Sequence, residues 1–522
     1  MEDLKRRERN ILKWIEDPHR SFIIAIFLIM LAIRIYYLIV TWNQPVWWDE
    51  GDYLNIARMW AFGTPQWDIN PLRPLLFPAI LAILFKLHAP EFIMRLIPLL
   101  SSILAIILTY LIGKELYNKQ IGLMAAFMLS FFWSFLFFSY RILVDVPVAT
   151  LWLLSLWLFI MGYEHKKKSA LWLFIPAIII TFLMKFTGAL LGLIILFYLI
   201  ITERVKILKN KDLWISLGLG ILAALPFLVY ETKKFGHPLA FYTAAIGGRA
   251  LSPRSLWQTF LDYINTTFPL IEWAFLILFI IGFVILIFEL AIGLDLLFKN
   301  KEKKLKANLL LLLTFLVPFL YIVSIGYGIY IEERYLFLMY PLMFIIGGKG
   351  LYSLFEKTKK YNKPIAIAIL VVFLAIGFYQ NIAHANDIIQ NKKTSFLQVK
   401  QAGQWINEHS NENDLIYSLH TQAELQYAAN RRVKGIPGKT PEELVQTIKE
   451  TKPKYIVINI FANLDPSDEW KVVFPYVNAH LFTKELSYEP YIDTKKTIPV
   501  LTIFSIKPEF YATELKRVQE NR

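Results

Sequence analysis

Trp47-Trp48-Asp49-Glu50-Gly51-Asp52-Tyr53 follows, after a short polar step, the apolar run 22–42. At about 1.5 Å per helical residue, that run is long enough to cross a bilayer. The three carboxylates Asp49, Glu50 and Asp52 are therefore expected just outside the membrane. Paired tryptophans suit the headgroup boundary, where an amphipathic ring has one apolar and one wet side. A carboxylate held at that boundary, partly desolvated and beside a second one, is where a shifted pKa and a proton-accepting role are expected. The plainer reading is a solvated loop with an aromatic belt, in which Glu50 and Asp52 are only helix-start charges.

The 522-residue chain is 56% hydrophobic and 16% aromatic, with a mean hydropathy of +0.46. Soluble domains carry roughly 45–50% apolar residues, so this composition reads as a polytopic membrane protein. The net charge is +14, but Lys and Arg fall mostly in short loops between apolar runs. Membrane topology demands that placement, which discounts nucleic acid as a partner. With no cysteine, disulfides, thiol chemistry and Cys-based zinc sites are excluded. The basic segment 5–9 precedes the first run, which is too long for a signal-peptide core and lacks a small-x-small cleavage site. A retained anchor with a cytoplasmic amino terminus is expected.

Further apolar runs lie near 92–112, 121–139, 146–162, 170–184, 188–201, 213–230, 271–298, 308–325, 334–354 and 364–383. With 22–42 they make roughly eleven expected spans. Alternation then puts Lys114 with Lys119, Lys166 to Lys168, Arg204 to Lys211, the run 299–306 and the run 357–363 on one side, the cytoplasm. The run 75–87, about 13 residues, is too short to span, and spanning would throw every later lysine-rich loop outside. It is expected as an interfacial or re-entrant helix within one long first exterior loop, 43–91. That loop also carries a short helix at 52–61 and Pro71-Leu72-Arg73-Pro74.

The same parity gathers polar residues at the exterior ends of the spans: Arg141 and Asp145, Lys185-Phe186-Thr187-Gly188, and Glu332-Glu333-Arg334-Tyr335. Ionisable groups beside spans mark function by default. Beyond 386 the chain turns polar, with strand-like runs at 414–419, 454–460 and 498–506. Thr440-Pro441-Glu442-Glu443 is a capping pattern that opens a helix to about residue 451. The reading is a transmembrane domain, 1–386, followed by a small exterior α/β domain, 387–522. Neither phosphate-binding glycine fingerprint is present.

These residues form an ordered set: an exterior Asp-Glu after the first span, Arg-Pro near the end of that loop, Arg…Asp-x-Pro, Lys-x-x-Gly, and Arg-Tyr before a proline-containing span. The set resembles the dolichyl-phosphate-mannose protein mannosyltransferases and the related lipid A aminoarabinose transferases, over roughly residues 20 to 355. These families are C-type integral-membrane glycosyltransferases. The resemblance implies a mainly α, GT-C-like fold. It also implies inverting transfer of a sugar from a polyprenyl-phosphate carrier to a protein, lipid or glycan acceptor on the exterior face of the cell membrane. Carried over, Asp49 is the general base and Asp145 the second acid, with Glu50 beside Asp49. Arg73, Lys185, Arg334 and Tyr335 hold the donor phosphate. Leu72 departs from the aminoarabinose transferases, which have a metal-holding glutamate there. A divalent metal is the one cofactor the resemblance raises, and no ligand set for it is evident in the sequence.

The chemistry agrees on independent grounds. A polyprenyl phosphate is already a competent leaving group, so the needs are a base for the acceptor hydroxyl and positive charge near the departing oxygen. Arginine supplies a bidentate fork and lysine a point charge. The lipid tail is expected along aromatic spans such as 131–138. Structural readings stand beside the functional ones: Asp145 as a span terminator, Lys185 as a snorkelling lysine, and Arg141 and Arg334 paired with Asp145 and Glu333. The competing function is a transporter or flippase of a lipid-linked sugar. Transporters often carry two similar halves and broken segments at mid-membrane, and neither is visible in this sequence.

Overall fold

The computed structural model describes residues 18–247, 255–298, 302–325, 332–460, 468–488 and 500–512. The basic segment 5–9 and Ile331 lie outside them. The chain divides into two compact units: 1–42, 70–76 and 95–391 in the first, and 43–69, 77–94 and 392–522 in the second. The division is therefore not the contiguous one expected at 386/387. The acidic segment within 43–69 groups with the polar carboxy-terminal part.

The first unit is helical. With the helix Pro18–Thr41, eight helices of the described chain are long and apolar enough to cross a membrane, including Glu91–Leu116, Asp145–Tyr163, Lys211–Phe235 and Trp273–Phe298. Three more occupy expected spans but are shorter or more polar: Lys119–Phe131, Lys168–Met184 and Tyr340–Lys359. The expected run 121–139 breaks at Phe132, whose ψ of 121° leaves the helical region, and resumes as Trp133–Phe138. The amide of Trp133, freed by that break, donates to Asn381 Oδ1 at 3.2 Å, so the interruption leaves no stranded donor there. Elsewhere two backbones touch. A Cβ at Gly282 would stand 1.9 Å from the Ile346 carbonyl oxygen, and one at Gly350 would stand 2.4 Å from that of Leu278. Small residues permit such close approach between membrane helices, where van der Waals packing drives association.

The second unit contains the helices Trp48–Phe62 and Leu76–Lys86, the latter entering it at Phe77. The first is longer than the expected 52–61 and stops at Gly63, whose φ of 83° suits a glycine. Leu76–Lys86 has 11 residues and so reaches about 16 Å, about half of a hydrocarbon core. The rest is a five-stranded sheet of β1 Leu415–Ser418, β2 Arg432–Gly435, β3 Tyr455–Asn459, β4 Phe482–Tyr488 and β5 Leu501–Ile506, in the order β2-β1-β3-β5-β4. The first three strands run parallel, and β5 pairs antiparallel with β3 and β4. Successive strand residues face opposite sides, and both sides are covered. Tyr417, Ile456, Ile458 and Phe504 belong to one apolar core, and Ile416, Tyr455, Val457 and Ile503 to the other. The expected strands were those buried on both faces. β2 is a mostly exposed edge, and β4, the other edge, has a single buried residue, Phe482.

Candidate active site

In the second unit the acidic stretch opens the helix Trp48–Phe62. Glu50 is fully buried, and its Oε2 accepts the Trp47 backbone N–H at 2.7 Å. It thus satisfies one of the amides near a helix start, where carboxylates are also favoured by the helix dipole. Asp49 and Asp52 are half-buried. Against this helix lies Gln422–Ala429, from the sheet-bearing part of the same unit. A Cβ at Gly51 would stand 2.7 Å from the backbone of Ala423, so glycine is what lets the two helices close. Asn55 Nδ2 donates to the Ala423 carbonyl at 2.8 Å. Arg58 Nη1 donates to that of Tyr427 at 2.9 Å, with its guanidinium 4.4 Å from the Tyr427 ring centre.

This packing carries in a residue that sequence reasoning missed. Glu424 is 4% exposed, and its Oε1 has no hydrogen-bond partner. Burial pushes its pKa up to about 8, and Asp52, Glu50 and Asp49 act in the same direction. Four carboxylates therefore share one locality, and near neutral pH the fourth is mainly the protonated acid. A cavity of about 180 Å³ adjoins it, lined among others by Arg58, Glu91, Lys400 and Tyr427. No local motif marks Glu424; only the tertiary contact does.

Linkage gives a testable sign. The folded-state pKa of Glu424 is raised, so its proton stabilises the fold below the unfolded value and that contribution is lost as pH rises through about 8. Between pH 6 and pH 9 the loss is at most about 3 kcal/mol. The wild type should show a falling apparent Tm over that range, and Glu424→Gln a flatter profile that is higher than wild type at pH 9. Parallel profiles would refute the assignment.

In the first unit Asp145 begins the helix Asp145–Tyr163, with its side chain 2% exposed. Lys185 Nζ donates to its Oδ1 at 2.6 Å. The Lys-x-x-Gly spacing has a local reason. The Gly188 amide donates to the Lys185 carbonyl at 2.8 Å, and a Cβ on Gly188 would meet the Thr181 backbone at 2.6 Å. The glycine lets the turn Phe186–Ala189 fold back on the preceding helix, which sets the direction of Lys185. Lys185 Nζ lies 5.8 Å from the Tyr335 ring centre and the Arg334 guanidinium 5.9 Å from it. Arg334 Nε also donates to Glu332, and its charge acts on Glu333 as well. Burial raises the pKa of Glu333, and Asp145 contributes in the same direction. Arg141 is buried, 5.5 Å from the Phe137 ring centre.

Four expected residues, Asp145, Lys185, Arg334 and Tyr335, thus form one cluster. Arg73 sits in the turn after Asn70, where the Leu72 and Arg73 amides donate to Asn70 Oδ1 and O, each at 2.9 Å. Asp49 and Glu50 belong to the other unit. Among the described residues no group of three or more His, Asp or Glu side chains is arranged to hold a metal. Leu72 supplies no ligand, so the donor set does not fit a metal site.

Residues 72–230 match the family model of dolichyl-phosphate-mannose-protein mannosyltransferases. No curated protein sequence matches the chain. Among solved structures, the chain is similar to ArnT from Cupriavidus metallidurans bound to undecaprenyl phosphate. The TM-score is 0.63 at 14% identity, covering 92% of this chain and 98% of that one. It is also similar to the oligosaccharyltransferase AglB from Archaeoglobus fulgidus, in complex with an inhibitory peptide and a dolichol-phosphate. Here the TM-score is 0.62 at 14% identity, over 95% of this chain and 77% of that one. At that identity the likenesses establish the fold, and the family model carries the sequence link. The chain thus has the fold of C-type integral-membrane glycosyltransferases, with residues 72–230 carrying a sequence match to the mannosyltransferase family model.

Proposed function

We propose that the protein transfers a sugar from a polyprenyl-phosphate carrier to an acceptor on the exterior face of the membrane, with inversion and with Asp49 as general base. Asp49 takes the proton of the acceptor hydroxyl as its oxygen attacks the anomeric carbon. The bond from that carbon to the phosphate oxygen breaks, and its electron pair leaves with the phosphate. Inversion follows from a single displacement. Lys185, Arg334 and Arg73 offset the charge that develops on the departing oxygen, and Tyr335 lies against the first two. Asp145 holds Lys185, and Glu50 fixes the start of the helix that carries Asp49. No step involves a metal. The amino terminus would lie in the cytoplasm, and residues 387–522 outside it.

The observation that carries this reading is the convergence of Lys185, Arg334 and Tyr335 around buried Asp145. Positive charge on a phosphate-leaving site is what the chemistry needs, and the ArnT and AglB structures hold undecaprenyl phosphate and dolichol-phosphate. The test is to incubate the purified protein in lipid with radiolabelled polyprenyl-phosphate sugars, with and without a chelator. Label should leave the carrier, to water or to an added acceptor extract, and chelation should not matter. Donor binding without any turnover would overturn the reading in favour of a flippase.

A further inference from the structure

At the end of the helix Asp145–Tyr163 opposite Asp145, where His165 meets Glu115, lies a pocket of about 440 Å³. That volume falls within the range of small-molecule sites. Its wall carries three lysines, Lys303, Lys304 and Lys349, and two glutamates, Glu115 and Glu289. Lys349 is only 2% exposed although it sits in a membrane helix. The Gly282/Gly350 approach brings its helix against the one bearing Glu289.

The carboxylates of this wall are already occupied. Glu289 Oε2 accepts from Lys349 Nζ at 2.6 Å and from Asn308 Nδ2 at 2.8 Å, and Lys304 Nζ lies 2.8 Å from its Oε1. Lys349 also donates to Asn308 Oδ1 at 2.7 Å, as does the Tyr117 hydroxyl at 2.6 Å. Glu115 has Lys114 at 3.3 Å and His165 at 3.0 Å. What this network leaves to a ligand is donors: Lys303 and the hydroxyls of Tyr352 and Ser353, with one net positive charge on the lining residues. Glu289 and Glu115 are partly exposed, at 24% and 18% of their side chains, but each is bonded to a cation, which offsets its repulsion of an anion, and the three lysines outnumber the two glutamates. These helix ends carry the basic loops, and basic pockets between membrane helices suit anionic headgroups.

We propose that this pocket binds the phosphate of an anionic phospholipid headgroup, at the opposite end of the spans from the Asp145 cluster and independently of the transfer reaction. Lys303 and the two hydroxyls contact the phosphate, while Lys349 and Lys304, both on the wall and both held by Glu289, add positive field.

The test uses the full chain in nanodiscs of phosphatidylcholine, with or without phosphatidylglycerol, followed by delipidation and native mass spectrometry. Wild type should retain phosphatidylglycerol over phosphatidylcholine. Lys303→Ser should reduce that preference about fivefold, the equivalent of about 1 kcal/mol for one lysine at the surface. Tyr352→Phe with Ser353→Ala should reduce it further. These variants leave the Glu289 network intact, so unchanged apparent Tm is expected. Equal retention of the two lipids, or a preference unmoved by all three substitutions, overturns the proposal. Displacement of the lipid by millimolar inorganic phosphate in wild type also overturns it, because the pocket would then be a free-phosphate site.

Discussion

Asp49→Asn should abolish sugar transfer while leaving the donor bound. The substitution keeps the shape and hydrogen-bonding size of the side chain but removes its ability to take a proton. General-base catalysis is worth about 10²–10⁴-fold, so the single-turnover rate should fall by that factor and donor Kd should stay within about twofold. Asp49 is half-buried near the start of its helix, so an isosteric change there should cost little stability, and an unchanged apparent Tm serves as the control. Glu50→Gln behaves differently under the same reading. Its carboxylate bonds the Trp47 amide, and a neutral amide can keep that bond, so the activity loss should be smaller than for Asp49→Asn. If Asp49→Asn turns over at the wild-type rate, the base is another group. If it loses donor binding as well, Asp49 acts on the donor and not on the acceptor.

The two units differ in how far the sequence exposes them. Apolar runs longer than the hydrocarbon core are hard to mistake, and eight helices of the described chain meet that standard. The run 121–139 reads as continuous because hydropathy does not sense the backbone. Its break at Phe132 depends on Asn381, a partner supplied by a distant helix. The Lys-x-x-Gly and Arg-Tyr signals were legible because each is local: Gly188 and Lys185 are bonded within one turn. The carboxy-terminal strands that could be read are those buried on both faces, with continuous apolar runs. β2, with Arg432 and Lys434 outward, looks like a loop in one dimension. Glu424 was invisible for a related reason. Its environment comes from Gly51 allowing Ala423 to approach, a steric permission that has no signature in a single chain. The boundary at 386/387 followed the change in composition, whereas compactness follows contacts, which tie residues 43–69 to the polar carboxy-terminal part.

Lys185→Met should be among the more damaging single changes in the first unit, for two separable reasons. Its Nζ is bonded to Asp145 Oδ1 at 2.6 Å, and the Asp145 side chain is 2% exposed. Lys185 itself is 26% exposed, so removing it leaves the buried Asp145 carboxylate without this partner but within reach of water, which costs up to about 3 kcal/mol. The other reason is functional. An ammonium has three donors, so Lys185 can keep Asp145 and still donate to a phosphate. Loss of one charge-assisted hydrogen bond, about 1.5–3 kcal/mol, should weaken donor binding roughly tenfold to a hundredfold. The double variant Lys185→Met with Asp145→Asn separates the two effects. Neutralising Asp145 removes the stranded charge, so apparent Tm should recover most of the loss, whereas donor Kd should stay as weak as in the single variant. Recovery of both would mean that Lys185 only holds Asp145 in place, and recovery of neither that Asp145 contacts the donor itself. Lys185→Arg sharpens the comparison. A planar guanidinium cannot reproduce the geometry of a point charge turned toward Asp145 by the Gly188 turn. It should therefore retain the stabilising charge yet recover only part of the donor affinity.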